Sequence, residues 1–174
     1  MKYRKLTTGD AFEYRNDIFK CYEDCKLVFD SQNTLKPESP EDAINFLANF
    51  IVSKDSMVLG IFDDLEEFLY GIVIFDNMRF ADSNCAQCHI INEKAIWGKK
   101  VKGIYEKILN ESIFDVIYCE IPSIAVHPIA MCKRLGFKKT GYIPKALPYV
   151  NALGVEKMYD LQIYSFQRKE VDNA

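Results

Sequence analysis

The fold is decided by Asn84–Phe137, NCAQCHIINEKAIWGKKVKGIYEKILNESIFDVIYCEIPSIAVHPIAMCKRLGF. Residues 84–91 read as an apolar strand and Trp97–Lys102 as a Gly/Lys loop. Val101, Ile104, Tyr105, Ile108 and Leu109 then repeat at helical spacing, with Lys102 and Glu106 placed for a surface ion pair. Val116–Ile121 is a second strand stopped by Pro122. A second helix opens at His127-Pro128 and stops at Gly136. A strand that returns through a helix to another strand pairs in parallel, and the crossover sets loop amides at a helix N-terminus, which attracts anions.

Alternation along the first of these strands divides its side chains. Ala86, Cys88 and Ile90 suit a helix-covered face; Cys85, Gln87, His89 and Ile91 share the other, turning an imidazole and an amide towards a cleft.

Towards the N-terminus, Tyr3–Leu6 reads as a strand and Thr7-Thr8-Gly9-Asp10 as a capping turn. Ala11, Tyr14, Ile18, Cys21, Tyr22 and Cys25 form one helical stripe, in which the cysteines read as packing residues. Ser39-Pro40-Glu41-Asp42 starts a helix whose buried stripe is Ala43, Ile44, Leu47, Phe50 and Ile51. Met57–Phe62 and Phe68–Phe75, separated by an acidic turn, predict an antiparallel hairpin. At the other end, Lys138–Ile143 and Val155–Phe166 predict a strand pair joined by a loop from Pro144 to Gly154. In its second strand Tyr159, Leu161 and Ile163 face inward.

The chain has 174 residues, 49% hydrophobic and 27% charged, which predicts a single domain over residues 1–174. A net charge of -3 implies no general pull towards nucleic acid or an anionic membrane. No apolar segment follows the N-terminal charges, and no run approaches the roughly 18 apolar residues of a membrane span, so a cytoplasmic location is expected. Six cysteines in such a chain read as reduced thiols.

Order of elements and local motifs together resemble the GNAT superfamily of N-acetyltransferases over nearly the whole chain. Met131-Cys132-Lys133-Arg134-Leu135-Gly136-Phe137 followed by Gly141 is similar to the family's L-Y-x-K-L-G-F…G segment. Ile96-Trp97-Gly98-Lys99 resembles the Y-W-G-K-G loop of the ribosomal-protein N-acetyltransferase branch. The resemblance implies a mixed α/β (α+β) fold: a mostly antiparallel sheet, a central parallel pair splayed apart, and flanking helices. It also implies an acetyl-CoA co-substrate, with pantetheine near Ile91 and pyrophosphate over Trp97, Gly98, Lys99, Lys100, Val101 and Lys102. The partner would be a small-molecule or protein amine, acetylated by direct attack on the thioester, with the acceptor surface built from the first two helices and the Pro144–Gly154 loop.

Three departures stand out. At the family's loop pattern, Arg/Gln-x-x-Gly-x-Gly/Ala, this chain has Trp97, Lys100 and Lys102. A shift of one residue restores only Gly103. Glycine lets backbone approach phosphate closely, whereas lysine offers a point charge. The family's acidic tyrosine falls at Cys132, which shares an apolar helical face with Ile129 and Leu135, and its helix-starting asparagine at Ala125. A second reading therefore stands beside the enzyme: a GNAT-fold binding or assembly module without turnover.

Removing a proton from an amine needs a base active near neutrality, and His89 has that chemistry. A half-buried histidine bonded to a neighbouring strand satisfies the same pattern. Glu120 on the parallel strand and Glu93 at the strand end are further candidate bases; His127 reads as a cap or surface residue. A thiol at Cys132 could donate a proton, or pack. Cys85-Ala-Gln-Cys88-His89 matches the haem-attachment letters, but residues three apart in a strand face opposite ways, so neither metal nor haem is expected.

Overall fold

A computed structural model of the chain describes residues 1–25, 37–93, 99–150 and 154–168. In chain order the elements are β1 (Lys2–Lys5), α1 (Thr8–Glu13), α2 (Arg15–Asp24), α3 (Pro40–Val52), β2 (Met57–Phe62), β3 (Leu69–Arg79), β4 (Cys85–Asn92), α4 (Lys99–Glu111), β5 (Val116–Pro122), α5 (Val126–Arg134), β6 (Lys138–Val150) and β7 (Glu156–Gln167). The strands form one sheet in the order β1-β2-β3-β4-β5-β7-β6, antiparallel except between β4 and β5.

Capping chemistry starts the early helices. Thr7 accepts the Asp10 amide while the Asp10 carboxylate accepts that of Thr7, and Ser39 accepts the Asp42 amide ahead of Pro40. The expected stripe breaks at Tyr14 into α1 and α2, yet Ala11, Ile18, Cys21 and Tyr22 remain buried on one side. With Ala43 and Leu47 of α3 they pack against Leu6, Phe62, Ile72 and Ile74. Intervening residues, among them Val73, Phe75, Ala86 and Ile117, pack on the opposite side against Ile108, Phe114, Leu135 and Phe137. The period of two along β3 thus fills two cores from one strand. Gly136, at φ 88°, stops α5 in a conformation that a Cβ disfavours.

Four sequence expectations change. Residues 99–102 belong to the first turn of α4, so the predicted loop to Lys102 is shorter; Trp97 and Gly98 lie outside the described residues. β3 runs on to Arg79, past the expected end at Phe75. The expected Pro144–Gly154 loop is strand as far as Val150, with Leu147 opposite Tyr159 and Val150 opposite Glu156. Its prolines are tolerated because β6 is an edge strand, where a missing N–H costs no ladder bond. In β7 the buried residue is Tyr164, from the face expected to be polar; it packs beside Phe137 and Cys119, while Tyr159, Leu161 and Ile163 are half-buried.

Candidate active site

β4 and β5 pair at Cys85–Val116, Ala86–Ile117 and Gln87–Tyr118, and no further. Each strand nevertheless stays bonded on its outer side, β4 to β3 as far as Asn92 and β5 to β7 as far as Pro122. The bond from Glu93 N–H to Tyr70 O (3.1 Å) shows which groups face outward, and Ser123 N–H to Asp160 O (2.8 Å) does the same for β5. Counting back in twos, Ile91 and His89 turn their amides and carbonyls to β3, and Ile121 and Cys119 turn theirs to β7. Ile90 and Glu120 consequently present N–H and C=O to the gap between the strands. Near Ile91, it is the backbone of Ile90 that meets this gap.

One face of the gap is polar. His89 Nε2 lies 3.1 Å from Asp76 Oδ1 on β3, and the Asn77 amide donates to Gln87 Oε1 at 2.9 Å. Tyr118 and Glu120 rise from β5 on the same side, as residues of one parity in register with Gln87. Burial first, then the charges of Glu120 and Asp76, hold the Tyr118 hydroxyl proton on. His89 thus lies on the strand face it was expected to share with Gln87, and Glu120 rises from β5 on the same side of the sheet.

The other face carries thiols. Cys132 of α5 is 7% exposed, and its Sγ lies 3.4 Å from Cys119 Sγ on β5. The hydrogen bond to Cys132 and then burial push the Cys119 thiol strongly up, and burial does the same for Cys88 on β4. The thiols of Cys88 and Cys119 thus keep their protons in the core beneath β4 and β5. Ala125 is the N-cap of α5 and supplies no side-chain cap, as expected of the residue in the asparagine's place.

Glu93 is only 4% exposed and pairs with Lys20 Nζ at 2.8 Å, which ties α2 to the end of β4. That contact engages a carboxylate expected among the candidate bases. Lys102 pairs with Glu106 at 3.2 Å along the exposed side of α4. Residues 99–101 form the start of that helix, where helix amides carry the positive end of the dipole. A separate hollow of about 400 Å3 is lined by Glu13, Tyr14, Asn16, Asp17, Glu66, Glu67 and Phe68, with no residue of β4 or β5. Its Asp17 carboxylate is engaged by the Leu69 amide at 3.0 Å.

A parallel pair bonded at one end, parted at the other and joined by a crossover helix also occurs in solved structures that match nearly the whole chain. Spermidine N-acetyltransferase from Vibrio cholerae, in complex with CoA and spermine, superposes with a TM-score of 0.71 at 15% identity, over 96% of this chain and 95% of that one. The chain has the GNAT fold. A probable GNAT-family acetyltransferase from Chromobacterium violaceum gives 0.74 at 15% identity, over 95% and 81%. The ribosomal-protein-S5-alanine acetyltransferase of Vibrio fischeri gives 0.67 at 14%, over 97% and 93%. No protein-family model and no curated protein sequence matches the chain. Among the described residues no group of three or more His, Cys, Asp or Glu is placed to hold a metal ion, and no helix is long and apolar enough to cross a membrane.

Sequence reading missed Asp76, because the hairpin strand was expected to end one residue earlier. It also missed Cys119 as the partner of Cys132; the shared inward parity of Cys88 and Cys119 was the available signal.

Proposed function

We propose that the protein is an acetyl-CoA-dependent N-acetyltransferase that acts on a primary amine. The parting of β4 and β5 carries this reading, since it leaves the backbone groups of Ile90 and Glu120 facing each other across a gap. Pantetheine is a chain of amides, and it would complete those bonds as a strand does. A parallel ladder that stops part-way leaves room along its inner edges for an extended ligand of that shape. The first turn of α4, with Lys99, Lys100, Val101 and Lys102, would receive the pyrophosphate through its amides and lysine charge.

His89 takes a proton from the acceptor amine, and the nitrogen attacks the thioester carbonyl. The C–S bond breaks, and its electron pair leaves with the CoA sulfur. Cys132, a thiol in the place of the family's tyrosine, gives its own proton to that sulfur, and the proton held by His89 restores neutrality when the thiolate of Cys132 is reprotonated. Glu120 stands on the polar wall, where a carboxylate favours a cationic acceptor. The Trp97-Gly98-Lys99 motif favours the ribosomal-protein branch, whose acceptor is a protein amine.

Calorimetric titration and thermal unfolding with acetyl-CoA test this. At 100 times its dissociation constant the ligand should add about 2.7 kcal/mol of apparent stability, and an amine screen should then detect transfer. Absence of both heat and stabilisation at millimolar acetyl-CoA would remove the proposal and favour a binding module.

A further inference from the structure

His89 is held by a residue that the reaction as written does not use. Asp76 stands opposite Gln87 in the β3–β4 register, two residues from His89 along β4 on the same side, so their side chains are diagonal cross-strand neighbours. The contact is 3.1 Å, with the Asp76 side chain 19% exposed and that of His89 36%. Directly after Asp76 the register shifts, Asn77 adopts a φ of 48°, and its amide holds Gln87. A bulge of this kind ends the ladder and re-aims the side chains beside it. Its placement leaves Asp76 as the last residue of β3 before the register shift, with its carboxylate in contact with the ring.

An ionised carboxylate has no donor. The proton at this contact therefore belongs to His89 Nε2, and a neutral ring keeps its lone pair on Nδ1. We propose that Asp76 is a positioning residue that fixes the Nε2–H tautomer of His89, so that Nδ1 is the atom that receives the proton of the acceptor amine. This rests on the N-acetyltransferase reading above. As the amine N–H bond breaks, an Nδ1–H bond forms, and the resulting imidazolium keeps its Nε2–H on Asp76. The amine pair makes the new C–N bond while the C–S pair leaves with CoA.

Histidine labelled with 15N in the whole protein reads the tautomer directly, without ligand or activity. The chain has two histidines, and a His127→Gln variant assigns the signals. The expected wild-type signature is Nε2–H. In Asp76→Ala the Nδ1–H form should appear and kcat should fall about 10-fold, within the range of positioned acid–base effects. KM for acetyl-CoA should change less than about 2-fold, as for an interaction made in the transition state. Asp76→Glu should recover part of both readouts, and Asp76→Asn serves if the alanine variant does not fold. An Nδ1–H ring in the wild type, or an unchanged tautomer and kcat in Asp76→Ala, overturns the proposal. An Nε2–H ring in a protein that binds acetyl-CoA but acetylates no amine overturns its catalytic part and the proposed function, and leaves Asp76 a structural contact.

Discussion

The lower and upper halves of the β4–β5 pair are built from similar residues and behave differently. Ala86 and Ile117 in the lower half, like Cys88, Ile90, Cys119 and Ile121 in the upper, alternate inward to the same core. As far as Gln87 and Tyr118 the backbones meet in an ordinary parallel ladder; beyond that pair the ladder stops. Side-chain pattern therefore does not decide where the strands separate. The outer neighbours run alongside both halves, β3 holding β4 to Asn92 and β7 holding β5 to Pro122.

The sharpest contrast comes from truncating one residue in each half. Ile117 is fully buried beneath the ladder. Ile117→Ala should lower unfolding stability by on the order of 3 kcal/mol, as for a cavity in a packed core, with a urea midpoint shifted in proportion. A change under about 1 kcal/mol would mean that the paired half is not the rigid part. In the parted half His89→Ala should leave stability nearly intact and lower kcat about 100-fold. Acetyl transfer at full rate with the same pH profile would remove His89 as the base.

Smaller effects separate the edges of the fold from its site. Tyr105 of α4 is buried, its hydroxyl has no hydrogen-bond partner among the described residues, and burial pushes its proton affinity up. Tyr105→Phe should therefore raise stability, by up to about 1 kcal/mol, because an unmet polar group leaves the core. Lower stability in a urea titration would show that the hydroxyl is satisfied after all. Smallest is an acid effect at α1. The Arg4 hydrogen bond, opposed by burial and helped by Thr7, holds the Asp10 carboxyl down at about 2, below its usual 3.8. A depressed carboxyl adds stability above pH 3.8 that is lost as pH falls towards 2. In Arg4→Met that loss should shrink, as read from thermal midpoints between pH 5 and about 2.

Much of the fold was legible because local and long-range signals agreed. Ser39-Pro40 sits at its cap, Gly136 at its stop, and the inward parity of Ala86, Cys88 and Ile90 matches the core. The site was legible as far as parity reaches: it could place His89 and Ile91 on a face but not choose which backbone groups meet the gap. That choice follows from the bonds of Glu93 and Ser123, which depend on neighbouring strands. Asp76 was hidden for a related reason, since a bulge at Asn77 extends β3 beyond its apolar run. The strand character of residues 144–150 was masked by two prolines that only an edge strand accepts.

Amide hydrogen exchange at Ile90 and Glu120, with and without acetyl-CoA, is the measurement closest to the centre of this picture. Both amides should exchange faster than those of Ile91 and Ile121 in the free protein and become protected when acetyl-CoA binds, while the neighbouring pair stays protected throughout. Slow exchange at Ile90 and Glu120 without ligand would contradict an open gap, and no added protection with saturating acetyl-CoA would contradict its use as the cofactor site.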